Sequence, residues 1–126
     1  MLWLLVGGAA AVGAMLRYGT DQVVAARILA PRGMVFPLGT FVVNIVGSVL
    51  LGAVAGLVVN AGVDLRWRTV LGVGLAGGLT TFSTWTYETV RLLEDGSLRE
   101  AAANIGVSLV VGLAAASLGY AVTTLG

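Results

Sequence analysis

The chain has 126 residues, of which 58% are hydrophobic and 10% charged, with a mean hydropathy of +0.99 and a net charge of +1. Soluble domains carry about 25% charged residues, so this composition belongs to a membrane protein. It contains no Cys, His or Lys, which excludes disulfides, thiolate or imidazole metal sites and the usual proton-relay side chain, and argues against nucleic acid as a partner.

Four stretches lack charge: Met1–Leu16, Gly33–Val63, Thr69–Tyr87 and Ala101–Gly126. A spanning helix needs about 20 apolar residues, so each stretch holds one span, the first by borrowing residues past Arg17. The expectation is an all-α membrane protein, one four-helix transmembrane domain over residues 1–126 with short loops. Helix 1 runs from about residue 2 to 26 and carries Gly7, Gly8 and Gly13 before Arg17-Tyr18. No charged segment precedes it and no clean cleavage site follows, which argues against a signal peptide. Pro31, Arg32 and Gly33 make the turn into helix 2, over about 34–60, with Pro37 in its first turn and Gly52 and Gly56 as a small-residue pair. Helix 3 covers about 67–93 with a break at 77–80, and Asp95-Gly96 is a turn. Helix 4 covers about 98–123, with Ser108, Gly112 and Ala116 on one stripe. That stripe, with Gly74 and Gly78, reads as a means of close helix contact.

The break in helix 3 is the most telling feature. Gly77-Gly78-Leu79-Thr80-Thr81-Phe82-Ser83-Thr84-Trp85 lies inside an apolar, membrane-length segment. Glycine costs about 1 kcal/mol relative to Ala in a helix, and threonine hydroxyls compete for backbone hydrogen bonds. In lipid a broken helix is tolerated only where the freed backbone groups line a cavity, meet a partner or hold an ion. The segment therefore reads as an ion site.

Other residues support that reading, each with a plainer alternative. Thr40, Asn44 and Ser48 are four apart and form one polar stripe on helix 2. Asn44 offers two N–H donors to an anion, or else makes an interhelical bond. Phe82 and Trp85 are three apart, so two positive ring edges can flank a small anion; on spacing alone a core aromatic pair is the better reading. Arg17 either draws anions toward a vestibule or snorkels to the interface. Glu88, the one carboxylate in the third span, pairs with an Arg or hydroxyls. Trp3, Trp67 and Tyr120 read as interfacial anchors. Four helices make a thin wall for a pore, which points to a homodimer. Arg66 and Arg68 lie on one side and Arg27, Arg32, Arg91 and Arg99 on the other. This weak bias is compatible with an antiparallel, dual-topology pair.

Gly-Gly-Leu-Thr-Thr-Phe-Ser-Thr at 77–84 resembles the signature of the Fluc (CrcB) fluoride channels. Gly13-x-x-x-Arg17-Tyr18, Pro37-x-Gly39-Thr40-x-x-x-Asn44-x-x-Gly47-Ser48 and Glu88 after the break agree with it. The resemblance spans the whole chain, and the helix 3 motif is its specific part. It implies an antiparallel dual-topology homodimer in the inner (plasma) membrane, exporting fluoride passively and so reducing its toxicity. It also implies a central structural Na⁺ held by the backbone carbonyls of Gly77 and Thr80 from both subunits. Asn44 would donate to fluoride, and Phe82 and Trp85 would line the pore. Ser83, Thr84 and Ser108, with Thr40, would supply hydroxyls, and Arg17 and Glu88 charge at the vestibule or in the structure. Trp85 stands where the family usually has Phe, and it adds an N–H donor.

Two other functions compete. A small multidrug-type proton-coupled exporter needs a carboxylate deep in helix 1, and Met1–Leu16 has none. A non-transporting membrane assembly subunit explains the glycines but not the break. The inventory holds no paired acid and base within the membrane, which argues against an enzyme.

Overall fold

The computed structural model describes residues 1–125, and every regular element among them is helical. Three helices are long and apolar enough to cross a membrane: α1 (Leu2–Arg32), α2 (Leu38–Asn60) and α5 (Leu98–Leu125). Between α2 and α5 run α3 (residues 65–79) and α4 (Phe82–Glu94), the two pieces of a broken helix.

α1 continues six residues past its expected end at 26, through a widened i→i+5 turn over Ala25–Leu29 and on to Arg32, with Pro31 inside. Gly33 then closes it in the left-handed conformation (φ 58°), a state glycine reaches without steric cost. α2 begins after Pro37, which precedes the first helical residue instead of lying within the first turn. Asp64 caps α3 by accepting the Arg66 N–H at 2.8 Å. α3 is itself wound wide over Thr69–Ala76, the kind of distortion that collects at functional sites.

Small residues set the packing. α2 lies along α5 so closely that a Cβ at Gly52 would strike the Ala116 carbonyl, and one at Gly119 the Val49 carbonyl. α1 meets α3 in the same way, Gly13 against Leu75 and Leu79, and Gly78 against Ala10. This close backbone contact supplies dispersion where lipid removes the hydrophobic drive between helices. Outward, Trp3, Leu4, Met15 and Leu16 of α1 and Leu109, Val110 and Leu113 of α5 are exposed, an apolar surface suited to lipid.

The break falls at Thr80 and Thr81, slightly later than the expected 77–80. Both are extended, with φ/ψ of −83°/158° and −149°/120°. Gly77 and Gly78 stay helical. Gly78 serves the contact with Ala10 of α1, and the threonines make the break.

Candidate functional site

At the break the backbone loses its helical partners, and neighbouring side chains replace them. The Thr81 N–H, which in a continuous helix would bond the Gly77 carbonyl, donates instead to Asn44 Oδ1 at 2.8 Å. The Asn44 Nδ2 donates to the Thr81 carbonyl at 3.2 Å. One amide thus satisfies both backbone groups of Thr81, as a neighbouring strand would. α2 reaches this position because Gly47 has no side chain: a Cβ there would strike Thr80 Cγ2. Thr80 folds its hydroxyl back onto the Ala76 carbonyl at 2.9 Å. Thr81 Oγ1 accepts the Thr84 N–H at 3.2 Å, capping α4, and its hydrogen goes to Thr84 Oγ1 at 3.0 Å.

The two helix ends carry opposite character. The first-turn N–H groups of Phe82 and Ser83 have no helical acceptor, so the N-terminus of α4 favours an anion. The end of α3 presents carbonyls, which favour a cation. Gly77, exposed, has lost the Thr81 N–H, and Thr80 carries a guanidinium on its carbonyl: Arg17 Nη1 donates to it at 3.3 Å. These are hard, neutral oxygens of the kind Na⁺ takes, while the Arg17 charge on the Thr80 oxygen opposes a second cation there. Among the described residues no group of three or more acids stands close enough to hold a metal, so backbone oxygen is the donor type the site offers.

An open groove of about 340 Å³ runs beside the break, lined by Asn44, Gly47, Ser48, Leu51, Gly72, Ala76, Gly77, Thr80, Thr81, Phe82 and Trp85. Among the expected site residues it gathers Asn44, Phe82, Trp85, Gly77 and Thr80. Phe82 is 76% exposed, and its ring centroid lies 5.5 Å from that of Trp85 at 41°. Thr40, Ser83, Thr84, Ser108, Arg17 and Glu88 do not line it. Thr40 is buried and donates to Glu88 Oε1 at 2.9 Å, while Glu88 Oε2 has no partner among the described residues. Ser83 approaches Thr81 Oγ1 at 3.3 Å, and the Ser108 hydroxyl is buried without a partner among the described residues. Glu88 thus meets a hydroxyl on α2, one of the two partners the sequence left open for it.

The Trp85 N–H donates to the Asn104 carbonyl at 3.0 Å. The donor that distinguishes indole from phenyl is therefore engaged with α5. Asn104 and Thr89, absent from the expected site, are buried beside it. The signal for both was present, since intramembrane polar residues face a bundle interior and bond there.

Residues 3–120 match the family described as CrcB-like protein, Camphor Resistance (CrcB). The chain belongs to the CrcB family. It is 47% identical over 127 residues to a relative from Frankia casuarinae, "Fluoride-specific ion channel FluC 1", covering 96% of this chain and 95% of that one. A FluC 1 of Streptomyces avermitilis is 45% identical over 119 residues (94% and 93%), and a FluC of Renibacterium salmoninarum 40% over 121 (94% and 96%). Near-full coverage carries the CrcB match across every helix described above. With its long apolar helices, this CrcB chain is an integral, multi-pass membrane protein.

Proposed function

We propose that the chain is a passive, fluoride-selective channel that lets cytoplasmic fluoride leave the cell. The observation that carries this is the broken helix itself. In a chain up to 47% identical to relatives named fluoride-specific channels, an anion-favouring helix end, the Asn44 amide and the Phe82–Trp85 pair converge on one groove.

Fluoride is small and strongly hydrated, so a path across the membrane must replace its water with N–H donors and positive ring edges. The remaining Asn44 N–H, the first turn of α4 and the edges of Phe82 and Trp85 are such groups. Chloride gains less from close donors and needs more width, so it is disfavoured on both counts. With no acid in the first half of α1 to exchange protons, transport is downhill and uncoupled.

The same reading makes α3 and α4 together the fourth span. The groove is open on one side, where Gly77 and the largely exposed Phe82 would otherwise meet lipid. Lipid leaves unsatisfied polar groups at a cost of several kcal/mol. A second copy covers that face, giving a homodimer, and the weak Arg asymmetry is compatible with an antiparallel, dual-topology pair. The Gly77 and Thr80 carbonyls of both copies would hold a Na⁺, which supplies a fixed positive charge where screening is poor. Arg17, on the Thr80 carbonyl, adds positive charge at the same end.

Planar-bilayer recording under a fluoride gradient, with fluoride on both sides and equal chloride, tests the proposal. A reversal potential near the fluoride equilibrium value, unchanged by a pH gradient, is expected. A reversal potential that follows the proton gradient would instead identify a coupled exporter.

A further inference from the structure

Trp85, Thr89 and Asn104 close a ring of hydrogen bonds between α4 and α5. The Trp85 Nε1–H donates to the Asn104 carbonyl at 3.0 Å, Asn104 Nδ2 donates to Thr89 Oγ1 at 2.8 Å, and Thr89 Oγ1 donates to the Trp85 carbonyl at 2.8 Å. The direction of each bond is fixed. Thr89 has one hydroxyl hydrogen, committed to the Trp85 carbonyl, so Oγ1 can only accept from Asn104. That requirement sets the orientation of the amide and leaves Oδ1 with no partner.

Asn104 is 0% exposed. A buried amide with one unpaired oxygen costs stability that an apolar side chain of the same size would not. Packing alone therefore gives no reason for Asn at this position, whereas the ring of bonds does. It ties α5 to the turn of α4 that carries Trp85 and holds the Asn104 carbonyl opposite the indole N–H. A phenyl ring would need no such acceptor.

We infer that Asn104 and Thr89 are positioning residues for Trp85, holding the indole with its N–H turned away from the groove and its edge beside Phe82. The flux consequences rest on the channel reading above; the orientation of the ring does not.

The test uses the full chain with Trp3→Phe and Trp67→Phe, which leaves Trp85 as the single indole of the three. In this protein Asn104→Leu is expected to red-shift Trp85 emission and to raise its acrylamide quenching about threefold, because the Asn104 carbonyl, though kept, is no longer held opposite the indole by the bond to Thr89. It is expected to slow fluoride efflux from liposomes about tenfold, and to slow it less than about twofold when added to Trp85→Phe, since coupled residues are non-additive. Should Asn104→Leu fail to fold, Thr89→Val, which breaks the same ring with an isostere, carries the same expectations. Unchanged emission in a folded variant would overturn the inference. Equal losses of flux with and without Trp85→Phe would overturn it too, by marking a general structural role. A parent protein without fluoride efflux, whose Trp85 emission still shifts in the variant, would sink the channel reading and leave the positioning intact.

Discussion

Replacing Asn44 with Leu tests whether one side chain holds the break together. The number and branching of the side-chain heavy atoms are kept, and two bonds are lost, at 2.8 and 3.2 Å, both to the backbone of Thr81. Thr81 is 8% exposed, so water reaches it poorly. A buried polar group left unpaired costs about 1–3 kcal/mol, whereas interhelical bonds in membranes average about 0.6 kcal/mol because the separated helices find other partners. Here the partner groups are main-chain groups fixed at an extended residue that is 8% exposed, so the larger figure governs. Two such groups give a loss of about 2–6 kcal/mol, or a fall of about 10–20 °C in Tm for a chain of this size. Flux should suffer as well as stability, because the variant also removes the Asn44 N–H not bonded to Thr81, on a residue that lines the groove. A charge-assisted hydrogen bond is worth about 1.5–3 kcal/mol, which gives a fall of about tenfold to a hundredfold in fluoride efflux. The assay pairs thermal unfolding in detergent with electrode-read efflux from liposomes. Wild-type flux in Asn44→Leu, with the protein folded, would refute the reasoning; a full loss of folding would show that the clamp is mainly structural.

Phe82→Ile should abolish fluoride flux while leaving the dimer intact by cross-linking, since the exposed ring contributes its edge and little packing; normal flux would remove the aromatic pair from the mechanism. Gly52→Val should push α2 off α5, because a Cβ there strikes the Ala116 carbonyl, and lower stability by about 3 kcal/mol or more on thermal unfolding; an unchanged Tm would mean that the contact is looser than described. Thr40→Val leaves Glu88 with neither oxygen bonded and should cost about 1–3 kcal/mol, a cost that shrinks when Glu88→Leu is also present; additive losses would deny the pair. Exchange of Na⁺ for N-methylglucamine should lower the Tm of the purified protein, as removal of any ligand bound only to the native state does; no shift would contradict the sodium proposal.

Composition and hydropathy were enough to read the membrane class and the long helices, because lipid demands satisfied backbone and apolar length together. The break was legible too, but its placement was not. Two glycines looked like the breaking residues, yet tertiary contact holds Gly78 helical against Ala10, and Thr80 and Thr81 depart because their hydroxyls and Asn44 offer other partners. That partnership joins residues 37 apart in sequence, so no local pattern announces it. α1 overran its expected end because a widened turn accommodates Pro31, which propensity alone treats as a stop. Asn104 and Thr89 were not legible for a related reason: the bond that joins them crosses between two helices, so neither stands in a local motif.

The central claim is fluoride-selective, passive conduction, and the direct measurement is efflux from liposomes containing the purified protein, followed with a fluoride electrode and a chloride electrode in parallel. Rapid release of fluoride with chloride retained is the predicted result. No fluoride release from well-incorporated protein, or equal release of both ions, would contradict the account.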